Sequence, residues 1–242
     1  MYGGTDFHAR LDAVPIAILA GGLGTRLRSA VPDRPKVLAP IGKRPFIDVL
    51  LDWLEGQGAK RVVFLLGHRA EQVTSHLADA PRPGLTIETV VEPEPLGTAG
   101  ALAFACAHLG AAAIVMNGDT FLDCDLEAFA GAALSDPAPA SLVAVHQADT
   151  SRYGRVEVRG DRLVGFREKL GGRPGLINAG VYLLKEAALT RIRKIKSGSI
   201  ERDYFARLPN ETAMVWRTRG RFIDIGTPES LAAAGGLLGP AC

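Results

Sequence analysis

Ile16-Ala17-Ile18-Leu19-Ala20-Gly21-Gly22-Leu23-Gly24-Thr25-Arg26-Leu27 is the stretch that decides the fold. The apolar run Val14–Ala20 reads as a strand buried on both faces, as in a parallel sheet. It runs straight into Gly21, Gly22 and Gly24. Glycines let the backbone turn tightly and aim several N–H groups inward, and such a nest of amides binds phosphate oxygens. Arg26 adds a planar fork of donors for the same oxygens. A ligand held there lies beyond the carboxyl end of a strand, where open α/β sheets bind ligands. The spacing is not the dinucleotide fingerprint GxGxxG, and no Gly-Lys-Ser/Thr follows to make a Walker A loop. Read alone, the glycines also fit an ordinary turn.

Outward from this loop the first half alternates. Apolar spacing predicts helices over Phe46–Leu54, Ala70–Leu77 and Thr98–Leu109, with Pro45 as first residue of the first. Strands are expected over Arg61–Leu66, Leu85–Val91 and Ala112–Met116. Strand, helix, strand, helix marks a doubly wound parallel sheet. After Asp136 strands dominate: Ser141–His146, Arg155–Val158, Leu163–Glu168 and Asn178–Leu184, with Gly160-Asp161 as a hairpin turn. Ser199–Leu208 reads as a helix capped by Ser199, and Ala213–Thr218 with Arg221–Ile225 as a late β-pair. The expected sheet is mixed, parallel first and partly antiparallel later. One domain over 14–242 is expected, with a first half at about 14–136 that carries the glycine loop and a second at about 137–232.

Composition agrees with a globular domain. Of 242 residues, 47% are hydrophobic and 22% charged, enough to bury a full core. The net charge of +2 gives no electrostatic reason to expect nucleic acid or a membrane surface. No apolar run approaches the roughly 20 residues of a membrane span. The cysteines are three, Cys106, Cys124 and Cys242, with no CxxC pair, so neither a disulfide framework nor a structural zinc is expected. Free thiols suit a reducing cytoplasm. Residues 1–13 lack an apolar stretch and read as a flexible tail, and the small, Gly-rich AAAGGLLGPAC at the other end reads as frayed.

Two groups beyond the loop draw notice. Lys36, in a segment stiffened by Pro32, Pro35 and Pro40, can be held over a phosphate at little entropic cost, although a lone lysine also serves as a solvated surface group. Asp125 reads as the N-cap of a following helix.

Taken together, LAGGLGTRL, RPKVLAPIGKRPFID, Glu94–Gly100 (EPLGTAG), Asn117–Thr120 (NGDT), Glu168-Lys169, Asn178–Tyr182 (NAGVY) and Phe222–Pro228 (FIDIGTP) resemble the ordered motifs of the sugar-1-phosphate nucleotidyltransferases. The likeness runs from residue 16 to about 232. EPLGTAG and NGDTFLDCDL are most similar to the D-glycero-α-D-manno-heptose 1-phosphate guanylyltransferases, with GDP-mannose pyrophosphorylases next.

The resemblance implies a Rossmann-like three-layer α/β sandwich with a mixed, mainly parallel central sheet, the nucleotidyltransferase type A fold. It implies GTP and a heptose 1-phosphate as substrates, GDP-heptose and pyrophosphate as products, and surface polysaccharide synthesis as the setting. Mannose 1-phosphate, UTP or dTTP are rival substrates, and a non-catalytic nucleotide-sugar-binding subunit is a remote one. A homo-oligomer is left open. Catalysis between two polyanions rests on alignment and electrostatics. Arg26 is then expected on the leaving phosphates and Lys36 on the α-phosphate, with Mg²⁺ held by Asp119 and Asp224. Asp119 otherwise fits a turn-forming Asp after Gly118. Leu19, Ala20, Gly21, Gly22, Gly24, Thr25, Glu92, Gly97, Thr98 and Gly118 are expected around the nucleotide, with Glu92 facing the base or simply solvated. Gly154, Glu168, Lys169 and Asn178 are expected around the sugar phosphate. By sequence alone Glu168-Lys169 is an exposed charged pair and Asn178 a strand-start residue bonded to nearby backbone. The resemblance places Glu201 near the sugar site, while Ser199-Ile200-Glu201-Arg202 by itself matches a capping pattern at a helix start.

Overall fold

A computed structural model describes residues 11–27, 29–167 and 172–238. The first half is built from β1 (Ile16–Leu19), the small hairpin β2 (Pro40–Ile41) and β3 (Arg44–Pro45), α1 (Phe46–Gly56), β4 (Arg61–Leu66), α2 (Ala70–Asp79), β5 (Thr86–Val91), α3 (Gly97–Ala105), β6 (Ala112–Asn117), β7 (Thr120–Leu122) and α4 (Leu126–Ser135). The second half contributes β8 (Ala140–Gln147), β9 (Arg155–Arg159), β10 (Arg162–Arg167), β11 (Gly175–Lys185), α5 (Glu186–Ile192), β12 (Met214–Thr218), β13 (Phe222–Asp224) and α6 (Pro228–Leu237).

Nine strands form one twisted sheet in the order β5-β4-β1-β6-β11-β8-β12-β10-β9. The first four run parallel, as their continuous apolar character predicts. β11 enters antiparallel between β6 and β8, so one long strand of the second half is stitched into the first. Alternate side chains feed opposite faces. Ile16, Ile18 and Phe64 pack on one face into a core shared with Leu50 and Leu51 of α1 and Phe129 of α4. Ala17, Val63 and Val115 pack on the other with Leu102 of α3 and Leu189 of α5. Two cores on the two faces make the expected three-layer sandwich.

Several sequence expectations change in detail. Ala213–Thr218 and Arg221–Ile225 are both extended, but they do not pair with each other. β12 joins the main sheet alongside β8, whereas β13 pairs with β7 in a separate ribbon. Ser199 does cap its segment, yet Ile200–Tyr204 is a π-turn followed by a 3-10 turn, Phe205–Arg207, not an α-helix. Pro45 is the N-cap of α1 and not its first residue. Leu11 is only 2% exposed in a 3-10 turn, Leu11–Ala13, so residues 11–13 belong to the fold and not to a tail. At the other end the small residues are helical to Leu237, because Thr227 and Ser230 cap α6 reciprocally with Pro228 in its first turn. Asp125 caps α4 as expected, accepting from Ala128 N at 2.8 Å.

Candidate active site

The carboxyl ends of β1, β4 and β6 open onto a cavity of about 330 Å³. Its floor is backbone. Leu19 and Asn117 face each other at the ends of β1 and β6, and Gly118 N donates to Leu19 O at 2.9 Å. A Cβ on Gly118 would lie 2.8 Å from that same oxygen, so the approach requires glycine. Leu19, Ala20, Gly21, Gly22, Gly97, Thr98, Gly118, Lys36, Glu92 and Asp119 all line this cavity. Ten of the residues expected around nucleotide and metal are thus brought to one place. Gly24, Thr25 and Arg26 lie outside the lining, and Arg26 is exposed on the turn Thr25–Leu27.

Lys36 is aimed by its neighbours. Pro35 and a 3-10 turn, Lys36–Leu38, anchor the segment through buried Val37 and Leu38. The lysine stem crosses Gly24, where a Cβ would meet Lys36 Cγ at 3.3 Å. Its ammonium reaches Asp119 Oδ2 at 2.9 Å, with the side chains 16% and 30% exposed. A cation and a carboxylate thus share the mouth of the cavity.

Asp224 reaches the same region through the β7–β13 ribbon. It sits opposite Thr120, and the next residue, Ile225, donates its N–H to Asp119 O at 2.9 Å. The two carboxylate-bearing residues, 105 positions apart in sequence, become neighbours on one ribbon. Asp224 Oδ1 accepts from Gly226 N at 2.5 Å, and Arg152 Nη2 lies 3.4 Å from Oδ2. The guanidinium also covers the Tyr153 ring at 5.6 Å. Burial, and then the charge of Asp224, push the Tyr153 hydroxyl above its usual pKa.

At the far side Glu92 bends over the glycines. Cβ atoms on Gly21 and Gly67 would meet Glu92 Oε1 at 2.8 and 2.5 Å. Its other oxygen accepts from Leu96 N at 3.2 Å. Partial burial raises its pKa, which the Leu96 bond only partly offsets.

The sugar-side expectations fare differently. Glu168 and Lys169 lie outside the described residues. Gly154, in the turn before β9, and Asn178, within β11, do not line the cavity. Asn178 is mid-strand, not at a strand start. Its Oδ1 does accept from nearby backbone, Gly180 N at 3.0 Å, and its Nδ2 donates to Tyr182 Oη at 2.7 Å. Glu201 is corrected: the helix-cap bond to Ser199 N comes from Asp203 Oδ2 at 2.8 Å, while Glu201 itself lines the cavity. Asn117, Arg152 and Tyr153 were also missed as site neighbours. Asn117 and Tyr153 adjoin residues singled out, Gly118 and Gly154, and Arg152 lies two before Gly154; proximity in sequence is the available signal.

Residues 16–237 match the family model of the nucleotidyl transferases, and the chain belongs to that family. It is a nucleotidyltransferase by fold and by relationship. The D-glycero-α-D-manno-heptose 1-phosphate guanylyltransferase of Campylobacter jejuni is 35% identical over 213 residues, 88% of this chain and 94% of that one. Its namesake from Aneurinibacillus thermoaerophilus is 32% identical, covering 90% and 95%. The mannose-1-phosphate guanylyltransferase of Mycobacterium tuberculosis is 32% identical over 91% of this chain, but over only 62% of its own length. Among solved structures, HddC from Yersinia pseudotuberculosis complexed with GMP-PN superposes with a TM-score of 0.83 at 31% identity, over 93% of this chain and 99% of that one. A putative glucose-1-phosphate thymidylyltransferase from Bacillus anthracis matches with a TM-score of 0.82 at 22% identity over 94% and 96%, a likeness of fold.

Proposed function

We propose that this protein transfers GMP from GTP to D-glycero-α-D-manno-heptose 1-phosphate, forming GDP-heptose and releasing pyrophosphate. The observation that carries the reading is the polarity of the cavity. Lys36, beside Asp119, offers a cation for phosphate, and the half-buried Glu92, bent over Gly21, offers a carboxylate for a base edge in the same cavity. Guanine presents N1–H and the N2 amine side by side, a match for two carboxylate oxygens; adenine presents an acceptor at N1 and is repelled. The heptose assignment draws on the relatives matched along almost their whole length.

In this reading a phosphate oxygen of the sugar attacks the α-phosphorus of GTP. A P–O bond forms as the bond to the β-phosphate oxygen breaks, and pyrophosphate leaves with the electron pair. The attacking phosphate is already ionised at neutral pH, so no side chain has to remove a proton. Lys36 stabilises charge on the α-phosphate as the bonds exchange. Arg26, exposed on the turn after the glycine loop, would take the leaving phosphates. Lys169 receives the acceptor phosphate, with Glu168, Asn178 and the Gly154 backbone on the sugar hydroxyls.

Asp119 and Asp224 fit Mg²⁺, which takes one or two carboxylates and completes its shell with phosphate oxygens and water. Bound there, Mg²⁺ supplies neutralisation of the triphosphate charge. Among the described residues no helix is long and apolar enough to cross a membrane, and Cys106 and Cys124 are free. Free thiols suit a reducing cytoplasm, where GDP-heptose would feed surface polysaccharide synthesis.

The test is pyrophosphate release with Mg²⁺, crossing GTP, ATP, UTP and dTTP with heptose, mannose and glucose 1-phosphates. Release with GTP and the heptose, tenfold or more above other pairs, is expected. Preference for mannose 1-phosphate would replace the acceptor and keep the chemistry. Absence of release with every pair would reject the reading.

A further inference from the structure

The connection from β4 to α2 takes a form that its backbone does not favour. Arg69, the N-cap of α2, stands at φ +59°, the left-handed region in which a Cβ is crowded, and its side chain makes no capping bond. A short polar residue suits an N-cap better, and glycine suits that φ better. The arginine reaches another segment instead. Its Nη1 donates to Pro32 O at 2.8 Å, and Gln72 Nε2, in the first turn of α2, donates to Asp33 O at 3.1 Å. Just before it, His68 N donates to Gly21 O at 3.4 Å, and a Cβ on Gly67 would lie 2.9 Å from that oxygen. Residues 67–72 therefore touch the stretch between Gly21 and Lys36 near both of its ends.

The gripped carbonyls lie in a stiff segment. Pro32 and Pro35 each fix φ, and neither has an N–H to give. Val31 and Pro35 are buried, and the span between them is exposed. Lys36 follows Pro35 directly, and its ammonium stands at the cavity mouth beside Asp119. In a segment with so few free torsions, fixing the Pro32 and Asp33 carbonyls fixes where the Lys36 stem starts. Neither Arg69 nor Gln72 lines the cavity. Arg69 shares with Gly24 and Lys36 a cleft of about 10 Å³, room for a water and not for a phosphate. The two donors differ in charge and agree in target, as a hold on backbone requires; a glutamine adds no charge to a phosphate site.

We propose that Arg69 and Gln72 form a latch on the Pro32–Asp33 backbone that positions Lys36, so that Arg69 acts through the lysine and not on substrate. The idea deepens the transferase reading and rests on it for its kinetic arm; the reactivity of the Lys36 amine supplies an arm that does not. Arg69→Met, Arg69→Gly, Arg69→Lys and R69M/Q72M are compared with the wild type, with Lys36→Met and R69M/K36M beside them. Arg69→Met is expected to lower kcat for pyrophosphate release about fivefold, the size of one hydrogen bond, at an unchanged KM for GTP, because Lys36 acts on charge that develops during transfer. R69M/Q72M lowers kcat about tenfold. Arg69→Lys, which can still donate to Pro32 O, recovers most of the rate. R69M costs nothing further once Lys36 is gone. Arg69→Gly separates position from stability. Glycine relieves the positive φ, so the unfolding midpoint stays at or above that of the wild type while kcat falls as in Arg69→Met. Acetylation of Lys36 by acetic anhydride, read by mass spectrometry, is expected to be about threefold faster in R69M/Q72M, the scale of a released hydrogen bond. A raised KM for GTP at unchanged kcat, multiplying losses in R69M/K36M, or a midpoint and a rate that fall together in Arg69→Gly would overturn the proposal. If the wild type turns over no pair, the transferase reading fails and Lys36 acetylation alone decides. Faster labelling supports the latch, and unchanged labelling rejects it.

Discussion

Before Asp136, the groups expected to hold nucleotide sit at or just beyond the ends of consecutive parallel strands: Leu19 after β1, Glu92 after β5, Gly118 and Asp119 after β6. After Asp136 nothing is so regular. Asp224 arrives on a ribbon with β7, Glu201 on a π-turn laid over α3, and Arg152 on a loop before β9. The first half delivers function by topology, because parallel strands all end on one side of the sheet. The second half delivers it by long-range contacts, each made of a few hydrogen bonds. The first arrangement survives small displacements, since the strands move together. The second depends on individual side chains, so its variants should split into large local effects and small ones.

The sharpest challenge to that contrast is the carboxylate pair, one from each half. Asp119→Asn removes the charge at the end of β6, and turnover should fall about a thousandfold, the loss typical of one essential charge-stabilising group. Asp224→Asn should cost as much if the ribbon serves the metal equally, measured as initial pyrophosphate release at saturating substrate and Mg²⁺. A loss of under tenfold for Asp224 alone would leave the first half with the whole metal site.

Glu92 tests the base end. Glu92→Gln should lower kcat/KM for GTP about a hundredfold, since the amide offers a donor where guanine also offers one, and should narrow the preference over ATP. The pH dependence has a definite sign. Burial raises the Glu92 pKa above the ordinary 4.5, so the carboxylate is protonated earlier than usual as pH falls. GTP affinity should decline on the acid side from a pH above 4.5, and the glutamine variant should lack that limb. An identical acid limb in both proteins would remove Glu92 from the base site.

The same contrast explains what was legible in the sequence. β4 was read to the residue, because its long apolar run has one interpretation beside a glycine loop. The cavity's backbone floor followed from Gly21, Gly22 and Gly118, whose lack of a side chain is a local property. Glu201 was read as a cap because Ser199 precedes it. The bond from Ser199 N to Asp203 Oδ2 shows that Asp203 does the capping, and Tyr182, 19 residues earlier, turns Glu201 elsewhere. Likewise Phe222–Asp224 was recognised as a strand, but its partner, β7, lies a hundred residues away. Thr98, expected at the nucleotide, does line the cavity, but its bond from Ile200 N, 102 residues on, is not written in EPLGTAG. Local turn chemistry and period are written in neighbouring residues; pairings between distant segments depend on three-dimensional packing.

Where the halves are stitched together, a smaller effect is expected. Asp136 accepts two bonds from Arg162, at 2.8 and 2.7 Å, and Lys185 Nζ donates to the carbonyls of Leu134 and Asp136. Asp136→Asn should destabilise by about 1–2 kcal/mol in denaturant unfolding, as expected for a partly buried bidentate pair. The Arg162 hydrogen bonds hold the Asp136 pKa below the ordinary 3.8. The pair's contribution is thus complete above pH 3.8 and is lost as pH falls through the lowered folded value, so the variant should show a flatter acid limb. If stability is unchanged, the halves are joined without this pair, by the β6–β11 and β7–β13 pairings and the contact of Gly198 with α3.

The smallest effect expected is at Arg152. Its guanidinium is 3.4 Å from Asp224, against 2.9 Å for Lys36 and Asp119, and its side chain is 43% exposed. An ion pair so loose and so wet contributes about 0–1 kcal/mol, so Arg152→Gln should leave the unfolding midpoint almost unmoved. It should still register in metal demand. Any divalent ion reaching Asp224 must displace that guanidinium, and removing it should lower the Mg²⁺ needed for half-maximal rate about twofold, the scale of an exposed pair. Titrating Mg²⁺ at fixed GTP separates the cases. A lower requirement makes Arg152 a competing counter-ion. A higher one, with a raised KM for the acceptor, makes it a phosphate contact, and the second half would then supply a cation as well as a carboxylate to the reacting centre.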